Sequence, residues 1–147
     1  KQDITGNVNY DSDNHQKMVE IRAQKVANVM NEIPPIKIYG EKKGDLLILS
    51  WGSTHGACKT ATERLLKEKL SVGHVSLKWI NPLPNDLKKI LSNYKNVLIP
   101  EINTGQLSQI IRAKYLVDAV GLNEIQGKPL GTSTIEVIMQ IMEEFFL

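Results

Sequence analysis

Asp45-Leu-Leu-Ile-Leu-Ser-Trp-Gly-Ser-Thr-His-Gly56 is the stretch that decides the fold. Its first half is an unbroken apolar run, which is typical of a strand buried on both faces. After Gly56, the residues Ala57, Ala61 and Leu65 fall on one face of a helix. A strand, a turn with glycines and a helix form the opening unit of a parallel α/β domain, which places ligands or partners at such loops.

Strands and helices alternate along the rest of the chain. The patterns predict strands at 36–39, 46–51, 74–80 (Val75, Leu77 and Trp79 on one face), 97–99 and within 117–125. They predict a helix at 56–69 and a second helix whose inward residues are Leu87, Ile90, Leu91 and Tyr94. A third helix is predicted at 105–115, with Leu107, Ile110, Ile111 and Tyr115 inward. A last helix starts at the capping box Ser133–Glu136 and buries Ile135, Ile138, Met139, Met142 and Phe146. We therefore expect an α/β fold with a three-layer αβα arrangement, in which helices cover both faces of a five-stranded, mostly parallel sheet. The short Gly40–Gly44 turn indicates one antiparallel edge strand, at 36–39.

The first 33 residues differ from this domain. Residues 1–12 are polar, and Ser12 or Asp13 is expected to cap a helix that runs to about Glu32 and ends before Pro34-Pro35. Its apolar residues near one face are Met18, Ile21, Val26, Val29 and Met30. We expect residues 1–33 to be a linker and lead-in helix and residues 34–147 to be the domain. A start at Lys1 without an initiator Met predicts a piece of a longer protein.

Composition excludes several classes of protein. The net charge of +2 and the 5% aromatic content give no nucleic-acid signature. No apolar run approaches the roughly 20 residues of a membrane helix. The single cysteine, Cys58, fits a reducing cytoplasm and cannot hold an iron–sulfur cluster. The three histidines lack metal-ligand spacing.

The loop Gly52, Ser53, Thr54, His55 and Gly56 has two interpretations. Because it precedes a helix, its amides suit an anion such as a phosphate, although the spacing is neither GxGxxG nor a P-loop. The alternative is a tight turn that lets the strand and helix pack closely. Cys58 also has two interpretations. It lies in the first turn of the predicted helix, where the dipole favours a reactive thiolate, and it lies on the face towards the sheet, which favours a buried thiol.

A second polar loop follows the strand at 97–99. Glu101, Asn103 and Gln106 gather there, at the carboxyl edge of the predicted sheet. They either meet a substrate, cofactor or partner, or Asn103 or Thr104 caps the next helix while Glu101 bonds to nearby backbone.

Several segments together resemble one family, in this order along the chain: Tyr10–Met18, Ile33–Gly40, Trp51–Gly56, Val72–Leu77, Asn81–Pro84, Pro100–Leu107 and Ile111–Tyr115. They resemble the C-terminal part of the alpha subunit of 2-oxoacid:ferredoxin oxidoreductases, with the 2-oxoglutarate enzymes most similar. The resemblance implies the transketolase C-terminal-like domain, which has a five-stranded mostly parallel sheet with one antiparallel edge.

The family oxidatively decarboxylates a 2-oxoacid to acyl-CoA and passes electrons to ferredoxin. The resemblance implies thiamine diphosphate, Mg²⁺, an iron–sulfur cluster and CoA in the whole enzyme. It implies a beta subunit and preceding alpha-subunit domains as partners, and dimer formation. This sequence lacks the Gly-Asp-Gly diphosphate motif and the cluster cysteines, so we expect no catalytic residue, cofactor or metal in it. The expected role is assembly, with the two loops facing the rest of the enzyme. A free-standing module that binds a phosphate-bearing ligand at Gly52–Gly56, and a Cys58 enzyme, remain the alternatives.

Overall fold

The computed structural model describes residues 1–131 and residues 134, 137, 138, 140, 141 and 144. The chain divides into two compact units. The first comprises Lys1–Pro35 and Trp79–Asn85, and the second comprises Ile36–Lys78 and Asp86–Leu147. In the described part of the chain, no helix is both long and apolar enough to cross a membrane.

The first unit contains α1, which spans Ser12–Asn28 and continues as a 3-10 helix over Val29–Glu32. Its N-cap is Asp11, whose side chain accepts a hydrogen bond from the Asn14 amide, so the helix begins slightly earlier than predicted. Ile33 is extended, as expected before Pro34. No residue of α1 is buried, and its apolar residues remain accessible.

The second unit is built on five strands: β1 (Ile38–Gly40), β2 (Gly44–Trp51), β3 (Val72–Leu77), β4 (Tyr94–Glu101) and β5 (Ala119–Asn123). Their order across the sheet is β1-β3-β2-β4-β5. Only β1 is antiparallel, and it pairs with β3; the other neighbours are parallel. The predicted five-stranded sheet with one antiparallel edge is confirmed.

The connections are α2 (His55–Lys67), preceded by a 3-10 turn at Gly52–Thr54, then α3 (Leu87–Leu91) and α4 (Gln106–Tyr115). Leu46 and Ile48 of β2 pack with α2 and with Ile138 in one apolar cluster. Leu47 and Leu49 point to the opposite face, where right-handed connections place α3 and α4. Leu46 to Leu49 are all fully buried, as predicted for a central strand.

Three predicted details are wrong. Tyr94 is the first residue of β4 rather than part of the preceding helix, because α3 ends at Leu91. Ile110 is 42% exposed, and the small Ser108 takes an inward position on α4. Trp79 lies beyond the end of β3 and is 38% exposed. In each case the periodicity was continued past the true end of an element or assigned to the wrong side of a helix.

The final helix is described only in part. Thr134 and Ile138 are helical and fully buried. The capping residues predicted at Ser133 and Glu136 lie outside the described residues. So do four of the five apolar residues predicted to face inward, and Ile138 is the one whose predicted burial is confirmed.

Candidate functional site

The two predicted loops lie at the same edge of the sheet. β2 and β4 are parallel neighbours, so Gly52–Gly56 and the residues after Glu101 both follow the carboxyl ends of adjacent strands. A hydrogen bond joins the two strand ends, because the indole Nε1 of Trp51 donates to Glu101 Oε1 at 3.2 Å. The structure thus brings together the residues that the sequence placed at this edge.

Glu101 is fully buried and points into the chain rather than out of the edge. Its Oε1 accepts from the Leu107 amide at 2.8 Å and from Asn103 Nδ2 at 3.2 Å, besides Trp51. Its Oε2 accepts from the Ser108 amide at 3.0 Å. The carboxyl group therefore ties the end of β2 to the start of α4.

Asn103 completes the cap of α4. Its Oδ1 accepts from the amides of Gly105 at 2.8 Å and Gln106 at 2.9 Å. Gly105 has φ +90, a left-handed conformation that glycine adopts without strain. Four successive amides at this helix start are thus satisfied by the protein's own side chains, so this end of α4 offers no vacant anion cradle. The interpretation in which Asn103 caps the helix and Glu101 bonds to nearby backbone is confirmed. Gln106 and Thr104 remain exposed.

The Gly52–Gly56 loop is more open. Thr54 is buried, and its Oγ1 donates to the Trp51 carbonyl at 2.9 Å and accepts from the Trp51 amide at 3.3 Å. Ser53, His55 and both glycines are exposed. A Cβ added to Gly52 or Gly56 would meet no atom within 4 Å, so close packing of strand and helix is not why these glycines are present. Gly52 is accounted for by its φ of +59, and nothing in the structure explains Gly56.

A buried polar cluster lies behind this loop, and the sequence did not predict it. Ser50 Oγ lies 2.8 Å from His74 Nε2, and the His74 ring stacks on the exposed His55 ring with 5.4 Å between centroids. Burial, followed by the charges of His55 and Lys59, lowers the pKa of His74 to about 4. The signal that was overlooked is the presence of two polar residues in apolar strands, since buried polar groups need partners.

This cluster is not arranged for nucleophilic catalysis. Ser50 is fully buried and His74 is 2% exposed, so a substrate cannot reach either side chain. Burial also raises the pKa of the Cys58 thiol to about 12, against weaker opposing hydrogen bonds from Thr54 and Ser50. Cys58 is therefore a neutral core thiol, as its position on the alanine face predicted. Among the described residues, no group of three or more His, Cys, Asp or Glu side chains is placed to hold a metal ion.

Known proteins are similar to this chain in sequence and fold. Residues 44–136 match the family model of pyruvate:ferredoxin oxidoreductase core domain II. The chain is 34% identical to 2-oxoglutarate oxidoreductase subunit KorA of Mycobacterium tuberculosis over 84% of its own length and 19% of that protein. It is 31% identical to the 2-oxoacid:ferredoxin oxidoreductase alpha subunit of Saccharolobus solfataricus over 69% of its length and 17% of that protein. The chain thus spans a minor part of these relatives.

Solved structures agree with the sequence matches. The 2-oxoglutarate:ferredoxin oxidoreductase of Magnetococcus marinus, solved with 2-oxoglutarate, coenzyme A and succinyl-CoA bound, superposes on 97% of this chain and 25% of its own with a TM-score of 0.86 and 32% identity. A split-gene transketolase, an inactive beta4 tetramer, superposes on 71% of this chain and 40% of its own with a TM-score of 0.50 and 17% identity, which supports the fold alone. The sheet with its antiparallel edge is therefore the transketolase-like sheet, and the chain belongs to the 2-oxoacid:ferredoxin oxidoreductase alpha-subunit family, in which it corresponds to core domain II.

Proposed function

We propose that this chain is a core domain of the alpha subunit of a 2-oxoacid:ferredoxin oxidoreductase. The enzyme oxidatively decarboxylates a 2-oxoacid to acyl-CoA and passes the electrons to ferredoxin, and 2-oxoglutarate is the proposed substrate. The observation that carries this proposal is the superposition of 97% of the chain on a 2-oxoglutarate:ferredoxin oxidoreductase. The names of its relatives point to the same substrate class. The proposal includes thiamine diphosphate, Mg²⁺, an iron–sulfur cluster and CoA as cofactors of the whole enzyme.

The proposed role of the domain itself is structural. Its cysteine is buried with a raised pKa, its Ser–His pair is inaccessible, and its Glu101 is used to cap α4. A domain so organised contributes a preformed surface rather than reacting groups. We propose that residues 34–147 form this domain in a cytoplasmic, dimeric enzyme, where it contacts the beta subunit and the preceding domains of the alpha subunit.

The surface that we assign to these contacts is the carboxyl edge, at Gly52–Gly56 and around Gln106. Two exposed isoleucines, Ile102 at 41% and Ile125 at 65%, stand beside these loops. The strand ends that precede them are joined, since the Glu124 amide donates to the Glu101 carbonyl at 2.9 Å. Exposed apolar side chains that follow hydrogen-bonded strand ends suit a protein contact.

The activity is tested on the purified complex that contains this chain. Reduction of a viologen dye should require both CoA and a 2-oxoacid, with 2-oxoglutarate supporting a higher kcat/KM than pyruvate. The assignment would be refuted if no second subunit purified together with this chain. It would also be refuted if no 2-oxoacid supported reduction of the dye.

The contact surface is tested with glycine variants, each compared with a control variant at a glycine of similar local geometry. Gly56→Leu adds a side chain where the domain itself leaves open space, and Gly131→Leu is the matched control, because its Cβ also meets nothing within 4 Å. Gly52→Asn is matched by Gly127→Asn, since these glycines have φ of +59 and +63. We expect Gly56→Leu and Gly52→Asn to weaken subunit assembly on a sizing column while their controls assemble normally.

The same variants distinguish the phosphate-binding alternative. If Gly52–Gly56 holds a phosphate-bearing ligand, Gly56→Leu should leave assembly intact and raise the KM for CoA. If the loop is a protein contact, activity should fall only in proportion to the unassembled fraction.

A further inference from the structure

Three segments meet at the amino edge of the sheet, opposite the loops discussed so far. They are the β1–β2 turn (residues 40–45), the segment from the end of α2 towards β3 (67–71) and the segment from α3 to the start of β4 (88–95). Because β1 pairs with β3 and not with β2, the turn must cross the start of β3 to reach β2. We refer to these three segments as the amino edge.

The turn is held in one conformation by its neighbours. Three successive carbonyls, of Glu41, Lys42 and Lys43, accept hydrogen bonds from the side chains of Tyr94, Asn93 and Ser71 in that order. The Gly44 amide in turn donates to the Asn93 carbonyl at 3.1 Å. The turn thus directs its backbone acceptors into the domain.

Close approach explains the glycines here, in contrast to Gly52 and Gly56. A Cβ on Gly44 would lie 2.5 Å from the Ser71 carbonyl oxygen, and a Cβ on Gly73 would lie 2.5 Å from the Glu41 carbonyl oxygen. A Cβ on Gly40, which has φ +82, would lie 2.6 Å from the Val72 carbonyl oxygen. The turn is therefore closely fitted to the strand ends beside it.

The residues displayed at this edge are strongly basic. The segments carry seven lysines against the acids Glu41, Asp45 and Glu68, in a chain whose total net charge is +2. The lysines are Lys42, Lys43, Lys67, Lys69, Lys88, Lys89 and Lys95, all exposed. Among the described residues, Lys95 is the one member of this set with a carboxylate within 4.0 Å, namely Asp45 at 2.8 Å. Helix dipoles favour lysines at the ends of α2 and α3, but they do not account for Lys42 and Lys43.

Lys69 places one of these charges on the residue that closes the end of α2. It has φ +63, a left-handed conformation just after the α2 C-cap, where glycine is the residue that avoids strain. Its amide donates to the Leu66 carbonyl at 3.0 Å, which closes the helix end. The helix end thus fixes where the backbone of Lys69 lies at this edge.

Two neighbouring cavities run along the same edge and share Lys43 and Asn93 in their linings. One has a volume of about 520 Å³ and includes Lys42, and the other has about 400 Å³ and includes Lys95. The remaining lysines lie outside these cavities. A small anion needs several donors that converge on one point, whereas charges spread over three segments fit an extended acidic surface.

We propose that the amino edge docks a partner protein through a cluster of Asp and Glu side chains on that partner. The closely fitted turn positions the backbone from which Lys42 and Lys43 extend, and their exposed ammonium groups provide long-range attraction. Such contacts are weakened by salt, since exposed charges are screened over a Debye length of about 8–10 Å at physiological ionic strength. The inference is independent of the enzyme activity proposed above.

The test uses the full-length protein that contains this chain and a decaglutamate peptide as the acidic probe, with binding followed by fluorescence anisotropy. We expect binding at about 50 mM NaCl that is lost at about 500 mM NaCl. Replacing both turn lysines, in Lys42→Gln/Lys43→Gln, should weaken it about threefold to tenfold, if each exposed charge contributes as surface ion pairs do. Lys69→Gly should weaken binding about twofold without lowering the melting temperature, because glycine fits the backbone there.

The matched control is Lys37→Gln/Lys128→Gln, which removes the same charge from two exposed lysines outside the amino edge. It should leave the affinity unchanged. Equal weakening by this control, or unaltered affinity in the turn variant, would overturn the proposal. Competition by inorganic pyrophosphate at concentrations far below those of chloride would also overturn it, because that result would identify a small-anion site.

Discussion

Replacing Glu101 by alanine should loosen the start of α4. The substitution removes the acceptor of four hydrogen bonds at once. Two of the donors are the amides of Leu107 and Ser108, which are buried residues at a helix start. A buried donor left without a partner costs about 1–3 kcal/mol, so these two amides together cost about 2–6 kcal/mol. The side chains of Trp51 and Asn103 are only partly buried and can turn to water, so they add little.

A graded series makes this reasoning quantitative. Glu101→Gln keeps one carbonyl oxygen but turns an NH₂ group towards an amide donor, so we expect about 1–3 kcal/mol, less than for alanine. Glu68→Gln is the control, because Glu68 is exposed and a surface change of this kind stays within about 0.5 kcal/mol.

The assay is amide hydrogen exchange of the full-length protein, read on a peptide that covers Gln106–Tyr115. Each 1.4 kcal/mol lost should accelerate exchange through local opening about tenfold, so the alanine variant should exchange about 30-fold faster or more. If Glu101→Ala left exchange in α4 unaltered and yet abolished subunit assembly, then Glu101 would be an interface residue and the capping argument would be refuted.

Two further predictions concern the buried cluster. Cys58→Ala should cost about 1 kcal/mol and Cys58→Asp several kcal/mol in denaturant unfolding, because alanine leaves a small cavity and aspartate buries a charge. Rapid labelling of the native thiol at neutral pH would contradict this. The pKa of His74 is about 4 in the folded state, below the ordinary histidine value of 6.5. Stability should therefore fall as pH drops from about 6.5 to about 4, because only the unfolded state gains a proton there. The His74→Gln variant should lack this component of the pH dependence, and an identical pH profile in both proteins would refute the assignment.

The fold was predictable because its strongest signals are local. Leu46 to Leu49 form an apolar run that belongs in the centre of a sheet, and the alternation of strands and helices permits few topologies. The antiparallel edge was also anticipated from the short Gly40–Gly44 turn. Its pairing with β3 was not, because pairing depends on contacts between Glu41 and Val72, 31 positions apart in the sequence.

The candidate site was predictable in position but not in detail. The sequence brought Glu101 and Gly52 to one edge, yet whether Glu101 points outward or caps α4 depends on the length of the turn that follows it. Ser50 and His74 were missed as a pair because their hydrogen bond requires the register of β2 against β3, which aligns Ile48 with His74. The register between two strands depends on the packing of the whole sheet, so it cannot be predicted from the sequence of either strand alone.

The two edges of the sheet differ in what they leave for a partner. At the carboxyl edge, Glu101 and Asn103 form hydrogen bonds within the domain, and the exposed surface consists of open space over Gly56 and exposed isoleucines. At the amino edge, the carbonyls of the turn form hydrogen bonds within the domain, and the exposed groups are mainly lysines. Apolar contacts persist in salt whereas exposed charge pairs weaken. Salt that releases an acidic protein from the amino edge should therefore leave assembly through the carboxyl edge intact, which allows a permanent contact and a reversible one to coexist on a single small domain.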